Sequence, residues 1–205
     1  MFTVDLVYED AACEVHRTVV GPLANNVYIV RCRRSGEAVL IDAADEHEHL
    51  LAVSRRLGVR SVLETHGHHD HIQAVPAFRE AGLEVAIAAE DAAMLPSYDL
   101  TIDDDAGITV GHLELLSIAT PGHTPGSMCF AVRGTPVLLS GDTLFPGGAG
   151  ATGFPGGDFA TIISSIGERL FGAYDDATLV LPGHGEHTTI GDERPKLSEW
   201  VERGW

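Results

Sequence analysis

The chain has 205 residues, 44% of them apolar, with 13 lysines and arginines against 30 acids and a formal charge of −17. Length and apolar share suit one folded domain spanning residues 1–205, and exclude a disordered chain. The charge, with Lys196 the single lysine, argues against nucleic acid, whose phosphates need cations to displace their counterions.

No run approaches the ~18 apolar residues of a transmembrane helix, so no membrane partner is expected. The first ten residues carry acids and no basic flank, unlike a secretory signal. A cytoplasmic protein is expected. Cys13, Cys32 and Cys129 are odd in number and far apart. They predict reduced thiols rather than a disulfide framework.

In chain order, "NVYIV" (26–30) and "AVLIDA" (38–43) flank a turn and predict a hairpin. Leu50, Val53 and Leu57 have helical spacing over 45–57, with Gly58 as the stop. "SVLET" (61–65) reads as a strand and runs into "THGHHDH" (65–71). Pro76 suits the first turn of a helix to about Ala81, and "EVAIAA" (84–89) is the next strand. A meander follows over 107–110, 113–119, 127–132 and 136–142.

The glycine-rich stretch 146–158 reads as a loop. It lacks the Lys-Ser/Thr of a phosphate loop, so it is expected to line a pocket, with Phe145 and Phe154 as apolar substrate contacts. Asp158 is a natural cap for an amphipathic helix carrying Phe159, Ile162, Ile163, Ile166 and Leu170 up to Gly172. A strand over 177–185 precedes a last helix, capped by Asp192 and running to about Arg203. Trp200 is expected to pack, and Trp205 to form a tail. Strands mixed with helices predict an α/β or α+β sandwich with mixed sheets.

Histidine and aspartate are poor core material, yet "THGHHDH" crowds four histidines and an aspartate into seven residues. His123 in "TPGHTPG", Asp142 in "SGDT" and His184 in "PGHG" also sit at strand exits, where sites collect in sheet proteins. Imidazole and carboxylate without thiolate suit zinc, iron, manganese or nickel. An extended 66–71 segment would put His66, His68 and Asp70 on one side, so a bend must divide them between two ions. His16, His47, His49, His112 and His187 read as ordinary surface or loop residues.

The ordered set "THGHHDH", "PGHTPG", "SGDT" and "PGHG" resembles the metallo-β-lactamase fold superfamily, and within it the short, single-domain glyoxalase II-like hydrolases. That resemblance implies a four-layer αββα sandwich with two mixed sheets. It implies two divalent metal ions, zinc foremost, with iron or manganese as alternatives. His66, His68 and His123 would hold one ion, Asp70, His71 and His184 the other, and Asp142 both. Asp42 and His69 would stand behind the ligands and orient them. The implied reaction is attack of a metal-bridged hydroxide on a small-molecule thioester, with Asp70 and Asp142 the catalytic carboxylates. Two other activities fit the same ligands. One is a persulfide dioxygenase with a single iron on His66, His123 and Asp142; the other is lactone or β-lactam hydrolysis.

Overall fold

The structure is a computed structural model describing residues 3–204. Trp205 lies outside the described residues. The first sheet has seven strands in sequence order. They are β1 (Asp5–Glu9), β2 (Cys13–Val20), β3 (Asn25–Cys32), β4 (Ala38–Ile41), β5 (Val59–Leu63), β6 (Glu84–Ala88) and β7 (Leu100–Ile102). β1 to β4 pair antiparallel, and β4 to β7 run parallel. Helices α1 (His47–Leu57), α2 (His69–Ile72) and α3 (Val75–Glu80) fall within the parallel crossovers. α1 ends where Gly58 takes a left-handed conformation (φ 83°) and donates its N–H to the Ser54 carbonyl, a glycine role.

The second sheet contains β8 (Gly107–Val110), β9 (Leu113–Ala119), β10 (Met128–Val132), β11 (Val137–Gly141), β14 (Leu179–Pro182) and β15 (Thr188–Thr189). Its spatial order is β15-β14-β11-β10-β9-β8, with β11 and β14 parallel and the other pairs antiparallel. Between β11 and β14 come a small hairpin, β12 (Leu144–Phe145) with β13 (Gly148–Ala149), and α4 (Phe159–Ser165). Asp158 caps α4 by accepting the Thr161 N–H at 2.7 Å. The predicted single helix continues as a π-helical turn, Ile166–Phe171, closed by a Gly172 N–H to Gly167 C=O bond.

Period-two burial sorts the strand residues into three apolar layers. Val30, Val39, Leu63, Leu115, Phe130 and Leu139 meet between the sheets. Val27, Ile29 and Val62 turn outward onto Leu50 of α1 and Phe78 of α3. Cys129, Leu138 and Val180 turn the other way onto Ile162, Ile166 and the fully buried Trp200. Two mixed sheets with helices on both outer faces form the predicted αββα arrangement.

Two expectations change. Asp192 does not cap the last helix. Thr189 caps α5 (Ile190–Glu193), accepting the Asp192 N–H at 3.1 Å, and the chain turns through Arg194–Lys196 before α6 (Leu197–Arg203). Pro195 lacks an amide hydrogen, which suits this break between short helical pieces. β1 and β2 also lie where no strand is predicted, although Cys13 and Val15 alternate inward with Glu14 and His16 outward.

Candidate metal centre

The residues singled out in the sequence meet along one edge, at the ends of β4, β5, β9, β11 and β14. α2 supplies the bend that divides the histidine cluster. His66 and His68 precede it, His68 with extended backbone, whereas Asp70 and His71 lie on its first turn. Three groups of side chains could each hold an ion, with ligand atoms within 4.8 Å of one another: His66, His68 and His123; His66, His71 and Asp142; Asp70, His71 and His184. Asp142 stands between the sets, 3.6 Å from His123 Nε2, 3.6 Å from His71 Nε2 and 3.5 Å from His184 Nε2.

Outer hydrogen bonds set the imidazole tautomers. His71 Nδ1 donates to Asp42 at 2.8 Å, His123 Nδ1 to the Ala151 carbonyl at 2.6 Å, and His184 Nδ1 to the Leu23 carbonyl at 3.0 Å. Thr65 Oγ1 donates to Asp42, so it accepts from His66 Nδ1 at 3.0 Å. With Nδ1 so engaged, each of these four rings turns its Nε2 inward, and in the neutral form a metal requires that atom offers a lone pair. The Nε2 atoms of His71 and His184 face each other at 3.2 Å. His66 Nε2 and Asp142 Oδ1 are buried without a hydrogen-bond partner among the described residues. Converging lone pairs and an orphaned carboxylate oxygen repel one another unless a cation lies between them, so these donors fit divalent metals.

Without a cation, protons take its place: against burial, the Asp142 and Asp42 charges and hydrogen bonds raise His71 well above its ordinary value, and the Asp70 hydrogen bond with the Asp142 charge raises His184. Burial pushes the Asp142 carboxyl up, but the His71 charge and hydrogen bond, with His184 and His123, outweigh it and hold it below its usual range. Burial likewise opposes ionisation of Asp70, and hydrogen bonds from His184 and Asn25 with the His71 charge overcome it. Both carboxylates stay ionised. Burial, then the neighbouring histidines, hold His66 well below its ordinary value, leaving it neutral as a ligand requires.

Two buried carboxylates brace this edge. Asp42, in a left-handed conformation (φ 66°), accepts from Thr65 N–H at 2.6 Å, Thr65 Oγ1 at 2.9 Å and His71. Asp91 accepts from Gly67 N–H at 2.9 Å, Gly126 N–H at 2.8 Å and Thr124 Oγ1 at 2.7 Å. It thereby ties the His66–His68 segment to the His123 loop. Sequence reading missed Asp91 because a lone acid after a strand carries no local signal.

His69 does not stand behind a ligand. It is the exposed first residue of α2, and its side chain lines the cavity mouth. The helical turn that carries Asp70 and His71 inward turns its predecessor outward. Phe145 and Phe154 line the same cavity, about 640 Å³ in volume. The Phe154 ring lies 5.4 Å from His68 and the Phe145 ring 6.5 Å from His184. Arg203 of α6 also reaches this cavity, a cationic contribution the sequence did not suggest. Of the remaining histidines, His49 bonds Thr18 Oγ1 at 2.9 Å and His16 bonds Glu14 at 3.3 Å.

Gly183 borders the centre closely. A Cβ there would fall 2.3 Å from Asp142 Oδ1 and 2.9 Å from His71 Cε1. Gly183→Ala is expected to displace the Asp142 carboxylate and cost roughly 10–100-fold in metal affinity. Metal titration followed by elemental analysis measures this, with circular dichroism expected to stay unchanged. Wild-type affinity would refute the steric reading.

A two-sheet sandwich with these donors at its edge defines the class: this is a metallo-hydrolase. The metallo-β-lactamase superfamily model matches residues 20–184. A hydroxyacylglutathione hydrolase, GloC of Haemophilus influenzae, is 34% identical over 77% of this chain and 84% of its own. The crystal structure of the BLEG-1 B3 metallo-β-lactamase superposes with a TM-score of 0.80 at 30% identity, covering 88% of this chain and 96% of that one. A crystal structure of TTHA1623 in a di-iron-bound form gives 0.76 at 30% identity, covering 86% and 95%. The chain belongs to the metallo-β-lactamase superfamily. No helix among the described residues is long and apolar enough to cross a membrane.

Proposed function

We propose that the chain hydrolyses a small-molecule thioester of the hydroxyacyl–thiol type. Two divalent ions, zinc foremost and iron or manganese as alternatives, would be held by His66, His68 and His123 on one side and Asp70, His71 and His184 on the other. Asp142 serves both. The observation carrying this reading is the two donor groups with Asp142 lying 3.5–3.6 Å from members of both, beside a cavity otherwise rich in apolar and glycine residues. Similarity to GloC supports the thioester class.

Ions so held would lower the pKa of a water molecule toward ~7 and polarise the substrate carbonyl. The protein's own groups do the rest. Asp70 Oδ2, to which the Asn25 amide donates at 2.9 Å, would accept the proton released as the water attacks. Phe145 and Phe154 pack the apolar part of the substrate and exclude water from that side of the cavity. A thiolate whose conjugate acid has a pKa near ~8.5 leaves without a strong acid, so none is required beside the cavity.

The test is metal content of the purified protein, coupled to turnover on a thioester panel that includes S-lactoylglutathione. Thioester hydrolysis that tracks metal loading is expected. Metal-loaded protein that leaves every thioester intact but opens a lactone or β-lactam would overturn the reading. Oxygen consumption with glutathione persulfide by iron-loaded protein would instead assign His66, His123 and Asp142 to a mononuclear dioxygenase.

A further inference from the structure

Away from the metal centre, at the opposite end of β3, two buried cysteines face each other across strands. Cys13 opens β2, Cys32 closes β3, and the two are register partners. Cys13 exchanges its backbone bonds with Asp10: its N–H goes to Asp10 Oδ1 at 2.7 Å and its carbonyl receives the Asp10 N–H at 3.0 Å. The Cys32 N–H goes to the Glu37 carbonyl, and its carbonyl receives the Gly36 N–H, both at 2.8 Å. Both backbones therefore turn away from each other, while the adjacent Ala12 and Arg33 bond directly at 2.9 Å. This is a non-hydrogen-bonded antiparallel pair, in which the Cα atoms lie about 4.5 Å apart and side chains approach most closely. That separation falls within the Cα range of disulfides, about 4.4–6.8 Å. Both side chains enter the same core layer, and both thiols are free.

The two sulfurs have unlike surroundings. Cys32 Sγ accepts the His112 N–H at 3.4 Å. Burial alone would raise its pKa, but the Ser35 hydroxyl and the N–H groups of His112, Ser35 and Arg34 outweigh burial and bring it to about 7. Cys13 has no such donors, and burial pushes it up to about 12. The cover over Cys32 consists of the turns at 33–36 and 111–112, where Arg33, Arg34, Ser35 and His112 are exposed. Reaching the sulfur requires opening a surface turn, not the sandwich. Cys129 is the internal contrast: it lies in the other apolar layer, with Thr120 Oγ1 at 3.3 Å, and burial pushes it up to about 11.

We propose that Cys13 and Cys32 form a redox modification site that takes a small disulfide and closes to a cross-strand disulfide. The Cys32 thiolate attacks one sulfur of the small disulfide, forming a mixed disulfide and releasing one small thiolate. The Cys13 sulfur then gives up its proton and displaces the second small thiolate. Two protein thiols are oxidised, one small disulfide is reduced to two thiols, and no further oxidant is needed.

The experiment exposes reduced, full-length protein to glutathione disulfide, quenches with acid, alkylates under denaturing conditions and maps the peptides. The expected product is a Cys13–Cys32 cross-link with Cys129 alkylated. Cys13→Ser is expected to trap glutathione on Cys32. The initial rate on wild-type protein supplies a readout independent of that variant. With Cys32 attacking, the rate rises about tenfold from pH 6 to pH 8, the change in thiolate fraction for a pKa near 7. An ordinary thiol with a pKa near ~8.5 would give roughly seventyfold. Alkylation of both Cys13 and Cys32 after conditions that oxidise dithiothreitol, or a persistent glutathione adduct in wild type, would overturn the proposal. A seventyfold pH dependence would overturn Cys32 as the attacking sulfur.

Discussion

Asp142→Ala is expected to lower turnover on the order of 10³-fold and to reduce bound divalent metal by half or more. Moving a group that only orients a ligand costs roughly 10–100-fold, and Asp142 faces both donor sets directly. Its carboxylate lies 3.5–3.6 Å from His71, His123 and His184. Alanine would remove the one anion shared by three inward-facing imidazoles, so both sets weaken together. His66→Ala, which removes a member of two of the three groups, is the companion variant. Metal by atomic emission and initial rates at saturating substrate measure the effect. Wild-type-like rates with full metal loss would sink the proposed chemistry, since activity would then not depend on the ions.

The second large effect concerns stability. Asp91 is fully buried and accepts three hydrogen bonds from two loops. In Asp91→Ala the N–H groups of Gly67 and Gly126 lose their acceptor inside the protein. At about 1–3 kcal/mol for each of these two buried groups left unpaired, the loss comes to about 2–6 kcal/mol, a large share of the 5–15 kcal/mol typical of a domain. Urea unfolding measures it. Asp91→Asn keeps one carbonyl oxygen as acceptor and is expected to lose less. The loops so joined carry His66, His68 and His123, so metal affinity should fall with stability even in the milder variant. An unfolding midpoint unchanged in Asp91→Ala would rule out this brace.

The sequence made the donors legible because chemistry forces rare residue types into short motifs. Four imidazoles and an aspartate in seven residues have no packing rationale, and each remote partner sits beside glycines that shape a strand exit. The central strands were legible for a related reason: β9 and β10 carry apolar runs bounded by turn residues. β1 and β2 were less so, because Glu14, His16 and Arg17 interrupt the apolar signal of β2. Asp91 illustrates a different limit. Its role depends on backbone N–H groups and a hydroxyl brought together by the fold, and local sequence does not announce such a meeting. His69 shows the limit of a motif: its place between ligands suggested a supporting role, but as the first residue of α2 its side chain is exposed.

The Asn26 side chain has a consequence for how the protein assembles. From β3 in the first sheet it donates to the carbonyls of Pro182, at the end of β14, and of Gly185 in the loop that follows, both at 2.9 Å, and Tyr28 donates to Pro182 at 2.9 Å. The bonds span more than 150 residues of chain and form only once the two sheets have docked. The donor groups share that requirement, since His66, His68, Asp70 and His71 come from the first half of the chain and His123, Asp142 and His184 from the second. Neither half alone carries a full set. Any cation that binds across them recognises the native state and not the unfolded chain, and so adds its binding free energy to stability. A metal held there would thus act as a clasp between the sheets, and chelation would loosen the seam.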